Sequence, residues 1–146
     1  ATHGEPGHAL TGTTPLHQQG DQPELPAMVY VSEVSHLDED HAYVYGGGFY
    51  RRSRAGEAIV GKTFSEMVDR RVRVRETPPQ YIDYYGALER DGHRIEVGDT
   101  AVFAFRTQIF VTRSQVALVE GIQRGRPALK AIYDSLGKPL AKGEEA

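Results

Sequence analysis

The stretch TAVFAFRTQIFVT, residues 100–112, decides the fold that we predict for this chain. Phe103, Phe105, Ile109 and Val111 alternate along it and would share one face of a β-strand. A strand over the whole stretch would span roughly 40 Å, which is long for a small domain. Strands of that length bend, so we expect a coiled sheet or a small barrel.

Shorter strand patterns lie on both sides of this stretch. Residues 28–34 and 42–50 are rich in Tyr and Val and indicate paired strands. Residues 71–76 alternate Arg with Val, and residues 81–89 and 115–122 read as further strands. The chain is therefore predicted to be α+β and predominantly antiparallel β.

Two helices complete the prediction. Residues 64–71 fit two helical turns, as one short internal helix. A C-terminal helix is predicted over 127–136, with Pro127 in its first turn and Gly137 and Pro139 ending it. Its apolar residues recur at helical spacing, namely Leu129, Ile132, Tyr133 and Leu136.

The size of the chain, 146 residues, suggests one main domain with extended ends. Residues 1–26 contain four Pro and four Gly and no visible period, so we expect an extended N-terminal arm. Residues 27–137 would form the β-rich globular domain, and residues 138–146 a C-terminal tail.

The charges are unevenly distributed along the sequence. Residues 1–50 hold seven acids and no Lys or Arg, whereas residues 51–130 hold fifteen bases and ten acids. The acidic and basic parts are expected to attract each other, within one chain or between two. The residues predicted to bind a partner are the apolar anchors of the arm and one row of arginines, namely Leu10, Leu16, Leu25, Arg71, Arg73 and Arg75. A solvated face is the alternative for the arginines.

Composition narrows the classes of function. The absence of Cys excludes disulfides, thiol nucleophiles and Cys-ligated zinc, and favours an intracellular protein. No signal peptide or long apolar run is visible, so we expect a protein of the cytoplasm or of an assembled particle, neither secreted nor membrane-bound.

Two short motifs resemble ligand-binding signatures. Residues 56–63, GEAIVGKT, have the spacing of a phosphate-binding P-loop, but the β-branched Ile59 and Val60 resist its tight turns. We predict instead a strand over 58–60 and no nucleotide binding. Residues 124–127, RGRP, match the core of a DNA minor-groove hook, yet they lead directly into the predicted helix. The sequence therefore does not favour nucleic-acid binding.

A metal site is a weaker candidate. His36 and His41 flank the predicted loop of the first hairpin, and Asp38 lies between them. Two imidazoles and a carboxylate can hold a divalent ion, but exposed hairpin loops are commonly acidic. We favour the solvated turn and predict no cofactor.

Two functions of different class follow. The first is a non-catalytic structural or accessory subunit of a larger assembly, as a homo-oligomer or in a hetero-complex, whose arm contacts a neighbouring chain. The alternative is a small barrel or cone-fold enzyme, an isomerase, cyclase or dehydratase that acts on an apolar metabolite by acid–base chemistry. Its candidate catalytic residues are Tyr84, Tyr85, Asp83 and Arg106.

Overall fold

A computed structural model describes six stretches of the chain, namely residues 27–45, 49–50, 56–75, 85–103, 110–111 and 115–143. The arm predicted for residues 1–26 lies outside the described residues. The chain divides into two compact units, which are described separately below. Two short strands, β3 (Phe49–Tyr50) and β8 (Phe110–Val111), pair with each other.

The first unit contains a six-stranded antiparallel sheet. Its elements are β1 (Tyr30–Leu37), β2 (His41–Tyr45), β4 (Glu57–Gly61), α1 (Phe64–Val68), β5 (Arg71–Arg73), β6 (Tyr85–Glu89) and β7 (Thr100–Phe103). The strand order is β5-β4-β7-β1-β2-β6, so β7 lies between β1 and β4. In β2, β5 and β7, buried side chains alternate with partly or fully exposed ones, as expected for a half-buried sheet.

The two ends of this sheet meet and nearly close it into a barrel. Val74, just after β5, forms an isolated antiparallel bridge with Leu88 of β6. The amide of Arg75 donates to the Ala87 carbonyl at 2.8 Å. A bulge between Val34 and His36 bends β1. The predicted antiparallel, barrel-like fold is confirmed for this unit.

Aliphatic side chains fill the inside of the barrel. The side chains that are at most 2% exposed include Val34, Val44, Val60, Val72 and Leu88. Ile95 and Phe103 join the same cluster. A filled interior of this kind stabilises the fold by removing apolar surface from water.

The predicted internal helix is confirmed, although it is shorter than residues 64–71. Thr63 caps α1, and its hydroxyl accepts a hydrogen bond from the Glu66 amide at 3.3 Å. Met67 is buried, whereas Phe64 is 76% exposed. The chain then enters β5 at Arg71, where alternation replaces the helical period.

The second unit is a three-stranded antiparallel sheet in the order β11-β10-β9. Its strands are β9 (Val116–Glu120), β10 (Ala128–Tyr133) and β11 (Pro139–Lys142). A 3-10 turn at Ile122–Arg124 lies in the β9–β10 connection, between two glycines in the left-handed region, Gly121 and Gly125. The last strand lies within the segment that the sequence suggested as a tail.

The predicted C-terminal helix over 127–136 is wrong, because most of that segment forms β10. A bulge between Leu129 and Ala131 shifts the strand register, so the apolar spacing imitates a helical period. Gly137, with φ of 82°, lies in the turn between β10 and β11. The Asp134 carboxylate accepts hydrogen bonds there from the amides of Leu136 and Lys138. Gly137 and Pro139, which were predicted to end a helix, belong instead to the β10–β11 hairpin.

Candidate functional site

The predicted row of arginines lies on the exposed side of β5 and continues to Arg75, two residues after the strand. Arg71 forms an ion pair with Glu57 at 3.5 Å, and Arg73 reaches Glu89 at 2.7 Å. Arg75 contacts His41 Nε2 at 3.4 Å. Each arginine thus has a partner within its own unit, which reduces the charge available to another molecule.

The candidate metal residues form a hydrogen-bonded turn. Asp38 Oδ1 accepts from the His41 amide at 2.6 Å and from the Asp40 amide at 2.9 Å. His41 Nδ1 is 3.2 Å from the same oxygen, and Asp38 Oδ2 accepts from the Tyr43 hydroxyl at 2.7 Å. The hydrogen bond from Tyr43 is the main cause that lowers the pKa of Asp38 to about 2.

His36 does not lie opposite His41 in this turn. Its register partner on β2 is Tyr43, and the two rings stack with centroids 4.5 Å apart. Across the described residues, no group of three or more His, Asp or Glu side chains is placed to hold a metal ion. The Asp38 carboxylate therefore stabilises this turn by accepting hydrogen bonds from nearby residues of the same hairpin.

A polar groove of about 220 Å³ lies beside α1. It is lined by three cations and three carboxylates, namely Lys62, Arg70, Arg94, Glu66, Glu96 and Asp99. Lys62 Nζ and an Arg94 nitrogen each approach Glu96 at 2.6 Å. Lys62 is the first cause that lowers the pKa of Glu96 to about 2, and Arg94 adds to it. The cations and carboxylates that line the groove thus neutralise one another.

The residues with P-loop spacing form a strand. Residues 57–61 are β4, with Ala58 and Val60 buried, so the strand predicted over 58–60 is confirmed. Lys62 follows it and pairs with Glu96. RGRP, at 124–127, lies in the compact β9–β10 connection, where the Gly121 carbonyl accepts from the amides of Arg124 and Arg126.

Several predicted site residues lie outside the described residues. They are the arm anchors Leu10, Leu16 and Leu25, and the candidate catalytic residues Asp83, Tyr84 and Arg106. Tyr85 begins β6 and is paired with Tyr45 in the sheet register.

Sequence reasoning missed two residues that organise the barrel. Arg90 donates to the carbonyls of Asp38 and Glu39 and so fixes the β1–β2 turn from a distant part of the chain. Asp99 is 1% exposed and accepts from the Glu96 amide at 2.9 Å. The DxxH spacing of Asp38 and His41 was the available signal for the turn, whereas the contact from Arg90 has no local signature.

The second unit differs from the first in its exposed side chains. Val116, Leu118, Val119, Leu129 and Leu140 are each between 40% and 54% exposed. Five cations of this unit form no ion pair with any described residue, namely Arg124, Arg126, Lys130, Lys138 and Lys142. Exposed aliphatic side chains and positive charge therefore occur together in this unit.

The fold and these surfaces define a class, a near-closed antiparallel β-barrel joined in sequence to a small exposed sheet. Residues 29–129 match the family model described as YhfX-like, C-terminal domain. The chain belongs to this family. It is similar to the Escherichia coli (strain K12) protein described as uncharacterized protein YhfX, with 48% identity over 139 residues. The match covers 95% of this chain and 35% of that relative, so the chain spans about a third of the relative's length.

No helix in the described part of the chain combines the length and apolar character needed to span a bilayer.

Proposed function

We propose that this chain is a non-catalytic accessory module that works within a larger protein assembly. One observation carries the proposal: aliphatic side chains fill the inside of the barrel, so the described residues of this unit offer their chemistry only at the surface. A ligand site of the usual kind needs a concave apolar cavity with a few polar groups. The polar groove beside α1 instead has its charges paired with one another.

The length of the relative supports the same proposal. A module that corresponds to 35% of the E. coli protein has further polypeptide beside it there. The family description, a C-terminal domain, is consistent with such a neighbour. In this proposal the barrel is a rigid support, and the module functions through its contacts with neighbouring protein.

The arm keeps its proposed role in this assembly. Residues 1–26 carry three acids and no Lys or Arg, and Leu10, Leu16 and Leu25 would anchor them on a neighbouring chain. Burial of one leucine contributes roughly 1.5–3 kcal/mol, which offsets part of the entropy lost when an arm becomes ordered.

The mass of the native particle tests the proposal. We expect the full chain to form an oligomer in native mass spectrometry, and a chain without residues 1–26 to remain folded but to assemble poorly. The double variant Leu10→Asp and Leu16→Asp should reproduce much of this defect. Leu136→Asp is the matched control, because Leu136 is 92% exposed in a turn. Normal assembly of the truncated chain would remove the arm from the proposal.

A further inference from the structure

On one face of the three-stranded sheet, the strand register places aliphatic side chains opposite one another. In the strand register, Val119 lies opposite Leu129, Ala117 lies opposite Ile132, and Ile132 lies opposite Ala141. Residues that are directly opposite each other point to the same side of a sheet. We call this set the aliphatic face, and it consists of Ala117, Val119, Leu129, Ile132 and Ala141.

The aliphatic face is open to solvent. Val119 is 40% exposed and Leu129 is 43% exposed, and Ala117 and Ala141 are also exposed. An antiparallel sheet normally turns its apolar face toward a core and its polar face toward water. A contiguous apolar face that is exposed to this extent marks a surface where another protein binds.

The unpaired cations indicate the charge of whatever covers this face. Lys130 occupies the bulge between Leu129 and Ala131, in the centre strand of the sheet. It and the other four unpaired cations of this unit are all exposed. In the first unit, by contrast, Arg71 and Arg73 already have carboxylate partners. Carboxylates around an apolar contact would therefore complement the second unit.

We infer that the aliphatic face docks an apolar protein surface edged by carboxylates, supplied by additional polypeptide of the kind that accompanies this module in its longer E. coli relative. This inference rests on the proposed function and names the surface that the assembly uses. About two thirds of the E. coli relative has no counterpart in this chain, which is ample polypeptide for such a surface.

A second copy of this chain is a poorer occupant. A second copy of the sheet carries the same excess of positive charge, five cations against Glu120 and Asp134 among its described residues, and like charges across a contact weaken association. Single-stranded nucleic acid commonly stacks its bases on aromatic side chains, and the aliphatic face has none.

A chimera tests the inference with an intact polypeptide. The matched third of the E. coli relative is replaced by this chain, and hydroxyl-radical labelling compares the chimera with the isolated chain. We expect the labelling rate of Leu129 to fall about tenfold in the chimera, as for a face that is covered roughly 90% of the time.

Two variants on the same strand give a matched comparison. Val119 lies on the aliphatic face, and Val116 lies on the opposite face, opposite Tyr133 in the register. Both side chains are exposed, so both variants should fold. In the chimera, Val119→Glu should restore the labelling rate of Leu129 to that of the isolated chain, whereas Val116→Glu should not. Circular dichroism of the isolated variants confirms that their sheet content is unchanged.

The outcomes separate this inference from the proposed function. If Leu129 is labelled equally in both proteins while Phe64 or another exposed side chain is protected in the chimera, the module has a partner but the named face is wrong. If no exposed side chain is protected and the isolated chain is a monomer, the inference and the proposed function both fail. If Leu129 is already slow to react in the isolated chain, a second copy or the chain itself covers the face, and the inference is overturned. The native mass then distinguishes these two covers.

Discussion

The hydroxyl of Tyr43 donates a 2.7 Å hydrogen bond to Asp38 Oδ2, and thereby joins a side chain of β2 to the turn that precedes it. The bond favours the ionised carboxylate and the protonated phenol. It is the first cause of the low pKa of Asp38, about 2, and it raises the pKa of Tyr43.

This pair predicts a loss of stability at both ends of the pH scale. A carboxyl group with a lowered folded-state pKa stabilises the fold above its unfolded pKa of about 3.9, and the contribution is lost as the pH falls toward about 2. The phenol, with a raised pKa, contributes below its unfolded pKa of about 10 and loses that contribution as the pH rises further.

Tyr43→Phe should therefore raise the pKa of Asp38 toward about 3.9 and flatten the acid limb of the stability curve. NMR titration of the Asp38 carboxyl carbon measures the first effect. Tyr30→Phe is the control, because the Tyr30 hydroxyl is directed to the Tyr45 carbonyl. A pKa of Asp38 that is unchanged in Tyr43→Phe would show that the two backbone amides suffice.

Leu88 and Leu136 form a matched pair for core packing. Leu88 is fully buried in the barrel, and Leu136 is 92% exposed. Leu88→Ala should reduce the free energy of unfolding by about 2–5 kcal/mol, because it removes apolar contacts and leaves a cavity. Leu136→Ala should change it by less than about 0.5 kcal/mol. Urea denaturation measures both, and equal effects would contradict the packing described for the barrel.

Gly121 and Gly137 should respond differently to the same substitution. Both have positive φ, but a Cβ at Gly121 would lie 2.1 Å from the Arg126 carbonyl oxygen, and one at Gly137 would meet nothing within 4 Å. Gly137→Ala should cost about 1 kcal/mol from backbone strain alone. Gly121→Ala should cost more, because the β9–β10 connection must also move. Amide exchange in β9 and β10 reports the difference, and a larger effect at Gly137 would contradict it.

Lys62 should not act as a phosphate-binding lysine. Its ammonium group lies 2.6 Å from Glu96, and the residues before it form β4. We expect magnesium with ATP or GTP to shift the melting temperature by less than about 1 °C, since a ligand stabilises only the state that it binds. Lys62→Ala should give the same result. A shift of several degrees in the unsubstituted chain, abolished by Lys62→Ala, would restore the nucleotide hypothesis.

The sequence predicted the barrel well where alternation was local. Val72 between Arg71 and Arg73 reads as a half-buried strand, and β5 has that pattern. The helix near Phe64 also has a local signal, because Thr63 directly before it is a residue that commonly caps helices. Such features depend on a few adjacent residues and can be found without a tertiary structure.

The C-terminal helix was predicted wrongly because its segment is ambiguous when taken alone. Leu129, Ile132 and Tyr133 suit one side of a helix as well as a bulged strand. Pairing with β9 and β11 selects the strand over the helix, and this pairing depends on residues elsewhere in the chain. The aliphatic face could not be found from the sequence for the same reason, because its members share a side only in the strand register.

The ion pairs of the arginine row were also invisible to a local analysis. Arg73 meets Glu89 and Asp91 only because the barrel brings the ends of the sheet together. The row was predicted to bind a partner, with a solvated face as the alternative. Its arginines are exposed, and Glu57, Glu89 and Asp91 partly neutralise their charge.

The position of β7 between β1 and β4 has a consequence for synthesis of the protein on the ribosome. Until residues 100–103 have emerged, β1 and β4 each present an unpaired edge, and β4 and β5 are joined to the other strands at the Val74–Leu88 bridge. Unpaired edges invite association with other chains, and pairing between distant segments is slow to form. The last strand of the barrel to be synthesised is thus the one that fills the gap between β1 and β4, and a chain stalled just before Thr100 would be the most dependent on chaperones.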